Sequence, residues 1–388
     1  MVTEQPAVKL QIYYPAKKKL MKILFVSYDL GIGGIQKSLV NLLKKMTKEN
    51  PEYQIDLLLF SKEGEYLNEL PSQINVLSVE NKALELSVKS YAAIKEHRSK
   101  RDRFKKVSAF LSIKLFGHEK YYAKIIGSKK THMEYDLAVS YSHDNYSAKF
   151  LKGANLFVLN RVEAKEKHAY LHADVSKETV DFVHMEKIYS QFDKVFTVSK
   201  ACQDILIGKI PSLKDRVSYK HNVFDEDELK VLSQEYIPFD KQEDITYFST
   251  VTRLSFAKGI DRILSITQKL VERKINNFKW FVVGEGQGEY VSSFLNAVVK
   301  EKGLDSHLTF VGNKANPFPY VKHSDLFVFP SRFESFAMVV VEAMILGVPV
   351  VTCDYSAARE VLLGTDNIIV PNEEGDLFDY LSKKLTNA

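Results

Sequence analysis

The chain has 388 residues, 45% hydrophobic and 27% charged, so it is long enough for two globular cores and too apolar to be disordered. No apolar run reaches the roughly 18–20 residues of a membrane span, and no apolar segment follows Lys17, Lys18 and Lys19 as a signal peptide requires. Two distant cysteines, Cys202 and Cys353, argue against a disulfide framework or zinc site and for a cytoplasmic, reducing setting.

Residues 1–20 read as an N-terminal extension ahead of a first strand over 22–28. Gly31, Gly33 and Gly34 follow, then a helical pattern over 36–46. The adjacent Gly33 and Gly34 depart from the G-x-G-x-x-G fingerprint and by themselves mark only a sharp turn or a close backbone approach. Another apolar run covers 55–60. The net charge of +5 is uneven, with 25 basic against 16 acidic residues in 1–150 and 29 against 33 in the remainder. Much of the excess lies in 98–130, with eleven basic residues against Asp102 and Glu119. Phe104, Val107, Leu111, Leu115, Ile125 and Ile126 are interleaved there at helical spacing. The stretch reads either as a helix attracted to an anionic membrane surface or as an exposed insertion with a solvated face. No nucleic-acid motif accompanies it, so nucleic acid is not an expected partner.

Short apolar runs over 137–141, 156–159 and 194–198 continue the strand pattern, and Ser199 is a plausible N-cap for a helix reaching Ile207. Acidic residues and Pro238 make 226–244 a predicted linker. Beyond it the alternation restarts, with strands over 245–252, 280–283, 308–311, 326–329, 348–352 and 367–370. Helical patterns over 259–271, 289–300 and 339–346 lie between them. Near-continuous apolar strands alternating with helices predict an α/β fold. It consists of two doubly wound, Rossmann-like parallel-sheet domains, 21–225 and 245–388, facing across a cleft.

Three segments carry candidate chemistry. Glu334 and Glu342 are eight residues apart after the strand over 326–329. If both were helical they would be separated by about 12 Å of rise, too far for the roughly 5–5.5 Å of a retaining glycosidase pair. They are better placed to hold two parts of one elongated ligand. Arg253 and Lys258, five apart with Gly259 next, follow the strand over 245–252. An Arg fork and a movable Lys at a strand-to-helix turn suit a diphosphate. Gly284, Gly286 and Gly288 follow the strand over 280–283 and mark a tight turn.

The segments Arg253 to Gly259, Gly284 to Gly286 and Ser331 to Pro349 resemble, in that order, motifs of GT-B retaining glycosyltransferases, specifically glycosyltransferase family 4 (group 1). Gly33 and Gly34, the stretch from Lys165 through Tyr170 and His172 to Asp174, and that from Phe192 to Ser199 resemble the polysaccharide-building members, with Tyr170 in place of Trp. The resemblance implies a retaining hexosyltransferase moving a sugar from a nucleotide-diphosphate donor, a UDP-sugar, to a glycan or lipid-linked acceptor, peripheral at the inner membrane face. It implies an acceptor-side domain over 21–225 and a donor-binding domain over 245–388. Arg253 and Lys258 would neutralise the diphosphate, Glu342 would hold the ribose, and Glu334 would contact the transferred sugar. Backbone N–H groups at Ser335 and Phe336 would hold donor oxygens, with Gly284 and Gly286 in the donor loop. His172 would lie near the reacting sugar, with His143 competing for that role. Gly33 and Gly34 would let the first loop approach the diphosphate. The resemblance implies no metal and no cofactor besides the donor. Ser335 where glycine is common, Thr252 before Arg253, and Ala357 and Ala358 depart from the pattern. They leave two alternatives open on the same scaffold: an inactive binding subunit and a sugar-nucleotide epimerase.

Overall fold

A computed structural model of the chain describes residues 20–88, 99–127, 134–144, 152–176, 180–362, 365 and 367–387. The expected extension over 1–20, apart from Leu20, and Arg98, Lys129 and Lys130 of the basic stretch lie outside them. The chain divides into two compact units, Met1–Val223 and Phe224–Ala388.

The first unit is built on a seven-stranded sheet in the order β3-β2-β1-β4-β5-β6-β7. Its strands are β1 (Lys22–Ser27), β2 (Gln54–Leu59), β3 (Asn75–Ser78), β4 (Glu134–Ser140), β5 (Glu163–Leu171), β6 (Lys194–Thr197) and β7 (Val217–Tyr219), all paired in parallel. Successive residues of a strand point to opposite faces. Ile23 and Phe25 of β1 accordingly enter one core cluster with Leu39 and Leu43 of helix α1 (Gly34–Glu49), while Leu24 and Val26 enter a second cluster with Tyr122 and Phe157. Both faces are covered, which is why β1 reads as an unbroken apolar run.

The second unit repeats the plan with a six-stranded sheet, β10-β9-β8-β11-β12-β13. The strands are β8 (Thr246–Val251), β9 (Phe278–Val283), β10 (Leu308–Gly312), β11 (Leu326–Phe329), β12 (Val350–Cys353) and β13 (Ile368–Val370). In both sheets the order reverses beside the first strand, at β1/β4 and at β8/β11. Ligands in such folds bind beyond the carboxyl ends at that point.

Three expectations are corrected. The run 156–159 is part of helix Ala154–Arg161, because four apolar residues are too few to separate strand from helix by period. The basic stretch is not one helix: Gly117, at φ 83, separates Lys100–Phe116 from His118–Ile126. The segment over 226–244 is not a free linker. Its Phe239 stacks between Tyr247 and Phe281 at 4.8 and 4.5 Å, and the Tyr236 hydroxyl donates to the Asn316 carbonyl at 2.7 Å.

Candidate active site

In the second unit the candidate residues converge on the exits of β8, β9 and β11. The chain leaving β8 stays paired with that leaving β9: Thr252 N donates to the Val283 carbonyl at 3.0 Å and Leu254 N to the Glu285 carbonyl at 3.0 Å. This approach explains two glycines. Gly284 has φ +142, and a Cβ there would lie 1.9 Å from the Thr252 carbonyl oxygen; at Gly286 it would lie 2.4 Å from that of Leu254. Both bring backbone against the Arg253 loop. The Arg253 side chain is exposed, with no hydrogen bond or ion pair among the described residues.

Gly259, left-handed at φ +74, would place a Cβ 2.2 Å from the Pro330 carbonyl oxygen, so the turn Phe256–Lys258 rests directly on the exit of β11. That contact aligns two candidate groups. The Lys258 ammonium pairs with Glu334 Oε1, which also accepts from the Ser331 hydroxyl at 3.1 Å; the two side chains are only 18% and 13% exposed. An ammonium has three donors, so Lys258 can keep this partner and still meet a ligand oxygen.

The helix expected over 339–346 is present as Met338–Ile345, and Glu334 lies ahead of it. Glu334 sits in a loop whose last residue, Ala337, holds the left-handed φ of 59, and the helix begins after it. A non-glycine residue in that conformation costs of order 1–3 kcal/mol. The helical separation of Glu334 and Glu342 therefore does not apply. Glu342 is buried on that helix beside buried Ala343. Phe336 turns its ring into this unit's own packing, against Phe224 at 6.3 Å.

Sequence reasoning passed over three residues here. Arg332 forks onto both Asp261 oxygens at 2.8 and 2.6 Å and lies 3.9 Å over the Phe256 ring, tying the β11 loop to the Lys258 turn. Arg262, buried, donates to the Pro330 carbonyl at 3.2 Å and to Asn372. Glu285 accepts from Gly286 N, Ser292 N and the Ser292 hydroxyl at 2.6–3.1 Å. Burial pushes its carboxyl up, but those hydrogen bonds together hold it below the ordinary carboxylate range. Glu285 offered a faint signal, an acid between two glycines; the others are visible only in three dimensions.

The matching end of the first unit is different. Gly33 and Gly34 start α1; Gly33 is extended at φ 175, a conformation open to any residue. Asp29 Oδ1 accepts from Gly31 N at 3.1 Å and Gln36 Nε2 at 3.2 Å. Beside this loop the exits of β1 and β4 are joined by buried polar groups. Ser27 and Ser142 hydroxyls lie 2.7 Å apart, Tyr28 donates to Asp144 Oδ1 at 2.6 Å, and Gly153 N and Ala154 N donate to the same oxygen. Burial raises the Asp144 carboxyl to about 7 and the Tyr28 hydroxyl above its ordinary range.

His172 follows β5 and is buried, stacked on Tyr170 at 5.6 Å and 4.7 Å from the Tyr141 ring. His143 lies 6.3 Å from it. Burial, then the charge of His143, lowers His172 to about 3; burial, then Lys152, lowers His143 to about 4. Both are neutral near pH 7 and act there as hydrogen-bonding groups rather than cations. Tyr170, at the position where the resemblance has Trp, is a core ring against Phe196 at 5.3 Å.

The two sheets and their strand orders define the class: this is a protein of the GT-B fold. Solved structures agree. The chain aligns over 94% of its length, and 89% of the other's, with Anabaena Alr3699/HepE in complex with UDP and glucose, at 18% identity and a TM-score of 0.62. It aligns over 94% of its length and 90% of the other's with WaaG, a glycosyltransferase involved in lipopolysaccharide biosynthesis, at 16% identity and a TM-score of 0.55. Residues 235–388 match the family model described as glycosyl transferases group 1. An uncharacterized glycosyltransferase of Methanocaldococcus jannaschii is 30% identical over 198 residues, 50% of this chain and 46% of that protein. The O-antigen biosynthesis glycosyltransferase WclY of Escherichia coli is 28% identical over 200 residues, 50% and 54% respectively. The chain thus spans about half the length of the curated relatives it matches.

Proposed function

We propose that the chain is a retaining hexosyltransferase that takes a sugar from a nucleotide-diphosphate donor, a UDP-sugar, and passes it to a hydroxyl of a glycan or lipid-linked acceptor in polysaccharide synthesis. The observation that carries this reading is the arrangement at the β8/β11 switch point. Arg253, exposed and unpaired among the described residues, precedes by five residues Lys258 of a shielded Lys258–Glu334 pair, and Glu342 is buried on the helix after Glu334. Bond breaking at the anomeric carbon leaves charge on the departing diphosphate. Cations already in place for it lower the barrier by stabilising that charge without reorganising solvent. Glu334, bound to Lys258, is positioned for the sugar at the same phosphate-facing turn, and Glu342 for the ribose. His172, neutral, supplies a hydrogen bond to the acceptor side. The complex of HepE with UDP and glucose supports the donor class. A Campylobacter jejuni relative whose name specifies a diphospho-undecaprenol acceptor, 24% identical over 201 residues, supports the acceptor class and work at the cytoplasmic membrane face.

The test is a panel of nucleotide sugars incubated with the purified chain, with hydrolysis, transfer and anomeric configuration followed by NMR. Turnover of one UDP-sugar with retention is the expected result. A nucleotide sugar converted to its epimer, or no binding of any donor, would overturn the reading.

A further inference from the structure

The helix Lys100–Phe116, here α3, is built inside out. Phe104, Val107, Leu111 and Leu115 recur at intervals of three, four and four, which places them in one row along one face. In a helix packed on a soluble domain such a row faces the core. Here it faces water: the four side chains are 75%, 43%, 50% and 73% exposed, and Phe116 is 64% exposed. The buried side is held instead by Lys106 and Ile113, seven apart. Lys106 reaches under the helix to donate to the carbonyls of Leu86 and Ser87 at 2.8 and 3.3 Å. Its ammonium is lowered to about 8, by burial and then by Lys152.

Beside this row, between α3 and the helix His118–Ile126, lies a cavity of about 630 Å³. Lys105, Lys106, Lys120 and Lys124 line it together with Phe104 and Phe116, and among the described residues no acidic one is in its lining. A cavity lined by both apolar side chains and lysines complements an amphiphile with an anionic head. Lys100, Arg101 and Lys114 extend the positive charge along the same helix.

We propose that α3 and this cavity form a docking element for anionic phospholipid: the outward row enters the acyl boundary of a bilayer and the lysine-lined cavity receives a phosphate headgroup. Among the described residues no helix is long and apolar enough to cross a membrane, so α3 lies along the surface, as amphipathic interfacial helices do. The inference rests on the membrane-face part of the proposed function and is independent of the transfer chemistry. Cations contribute long-range attraction to anionic lipid that salt screens, and the apolar row contributes a part that salt leaves intact.

The test uses the full chain in flotation with vesicles of phosphatidylcholine alone and of phosphatidylcholine mixed with phosphatidylglycerol, at low and physiological salt. Binding to the mixed vesicles only is expected. Leu111→Glu combined with Leu115→Glu should weaken it at least about tenfold at both salt concentrations, because a charge replaces an inserting group. Lys105→Gln with Lys124→Gln should weaken it about thirtyfold at low salt, from roughly fivefold per lysine. These side chains lie outside the proposed donor site, so donor hydrolysis is read in parallel: lost vesicle binding with hydrolysis intact supports the element. Hydrolysis absent from the unaltered chain that still floats would sink the transfer reading alone. Absence of vesicle binding at low salt, undiminished binding by the Leu111→Glu, Leu115→Glu variant, or a self-associated species that this variant dissociates without any lipid binding would each overturn the proposal.

Discussion

The two units share one strand order and finish their switch points with opposite chemistry. In the second unit the exits of β8, β9 and β11 are held by charge and by left-handed or crowded glycine backbone: Lys258 on Glu334, Arg332 on Asp261, Gly259 against Pro330, Gly284 against Thr252. In the first unit the exits of β1, β4 and β5 are joined by buried groups that are neutral near pH 7, among them His143, His172 and the Tyr28 hydroxyl. A diphosphate needs fixed positive charge. A hydroxyl needs oriented donors and acceptors, which are strongest where water is excluded. The difference teaches that a fold supplies the place and the loops supply the chemistry.

The largest expected effects fall on the charged end. Lys258→Gln and Glu342→Gln should each lower donor turnover by about 10²–10³-fold or more, the range seen when one preorganised group facing developing charge is removed, with circular dichroism unchanged. Gln at 258 keeps a donor for Glu334. Full activity in both variants would break the comparison at its root. Next in size is a contrast between glycines. Gly284→Ala must accommodate a Cβ 1.9 Å from a carbonyl oxygen at φ +142, whereas Gly33→Ala meets only the flexible end of Gln36. We expect Gly284→Ala to destabilise the protein by roughly 2–4 kcal/mol and Gly33→Ala by less than about 1 kcal/mol, measured by urea unfolding.

The same contrast governs what was legible in the sequence. Arg253, Lys258, Glu334 and Glu342 stand out because their spacing is local to strand ends, and the alternation of apolar strands and helices carried the fold class. The pairing of Lys258 with Glu334 did not show, since it depends on Gly259 letting two distant loops touch. In the first unit β5 was hard to read because its first half is exposed and charged, with Glu163, Lys165 and Glu166; only 168–171 is buried. Asp144 and Tyr28 escaped notice for a related reason. A buried acid is marked by its partners, here two backbone N–H groups nine and ten residues away.

Arg253 sharpens the comparison at smaller magnitude. Being exposed and unpaired among the described residues, it should be replaceable by Ala with stability held within about 0.5 kcal/mol. A hydrogen bond to a charged group contributes about 1.5–3 kcal/mol, so UDP affinity should fall about 10–100-fold. Calorimetric titration of UDP into Arg253→Ala checks this. Unchanged affinity would remove Arg253 from the diphosphate and leave Lys258 as the cation there.

The smallest effect tests the neutral end. Asp144 ionises near 3.8 when unfolded and near 7 when folded, burial being the leading cause against hydrogen bonds from Tyr28, Ala154 and Gly153. Between those values the folded protein keeps a proton that the unfolded chain has lost, so raising the pH through this window lowers stability. From about pH 6 to about pH 8 the loss is about 1.4 kcal/mol. His143 and His172 act in the opposite sense. Their folded values of about 4 and about 3 lie below the ordinary 6.5, so their contribution is fully present above 6.5 and is lost as pH falls towards the folded values. Asp144→Asn keeps an acceptor for Gly153 and Ala154 and removes only the acid. Relative to the unaltered chain, it should therefore gain about 1.4 kcal/mol on going from about pH 6 to about pH 8 in urea unfolding. Parallel stability curves for the two proteins would mean that Asp144 carries its charge throughout, and the first unit's switch point would then be no more neutral than the second's.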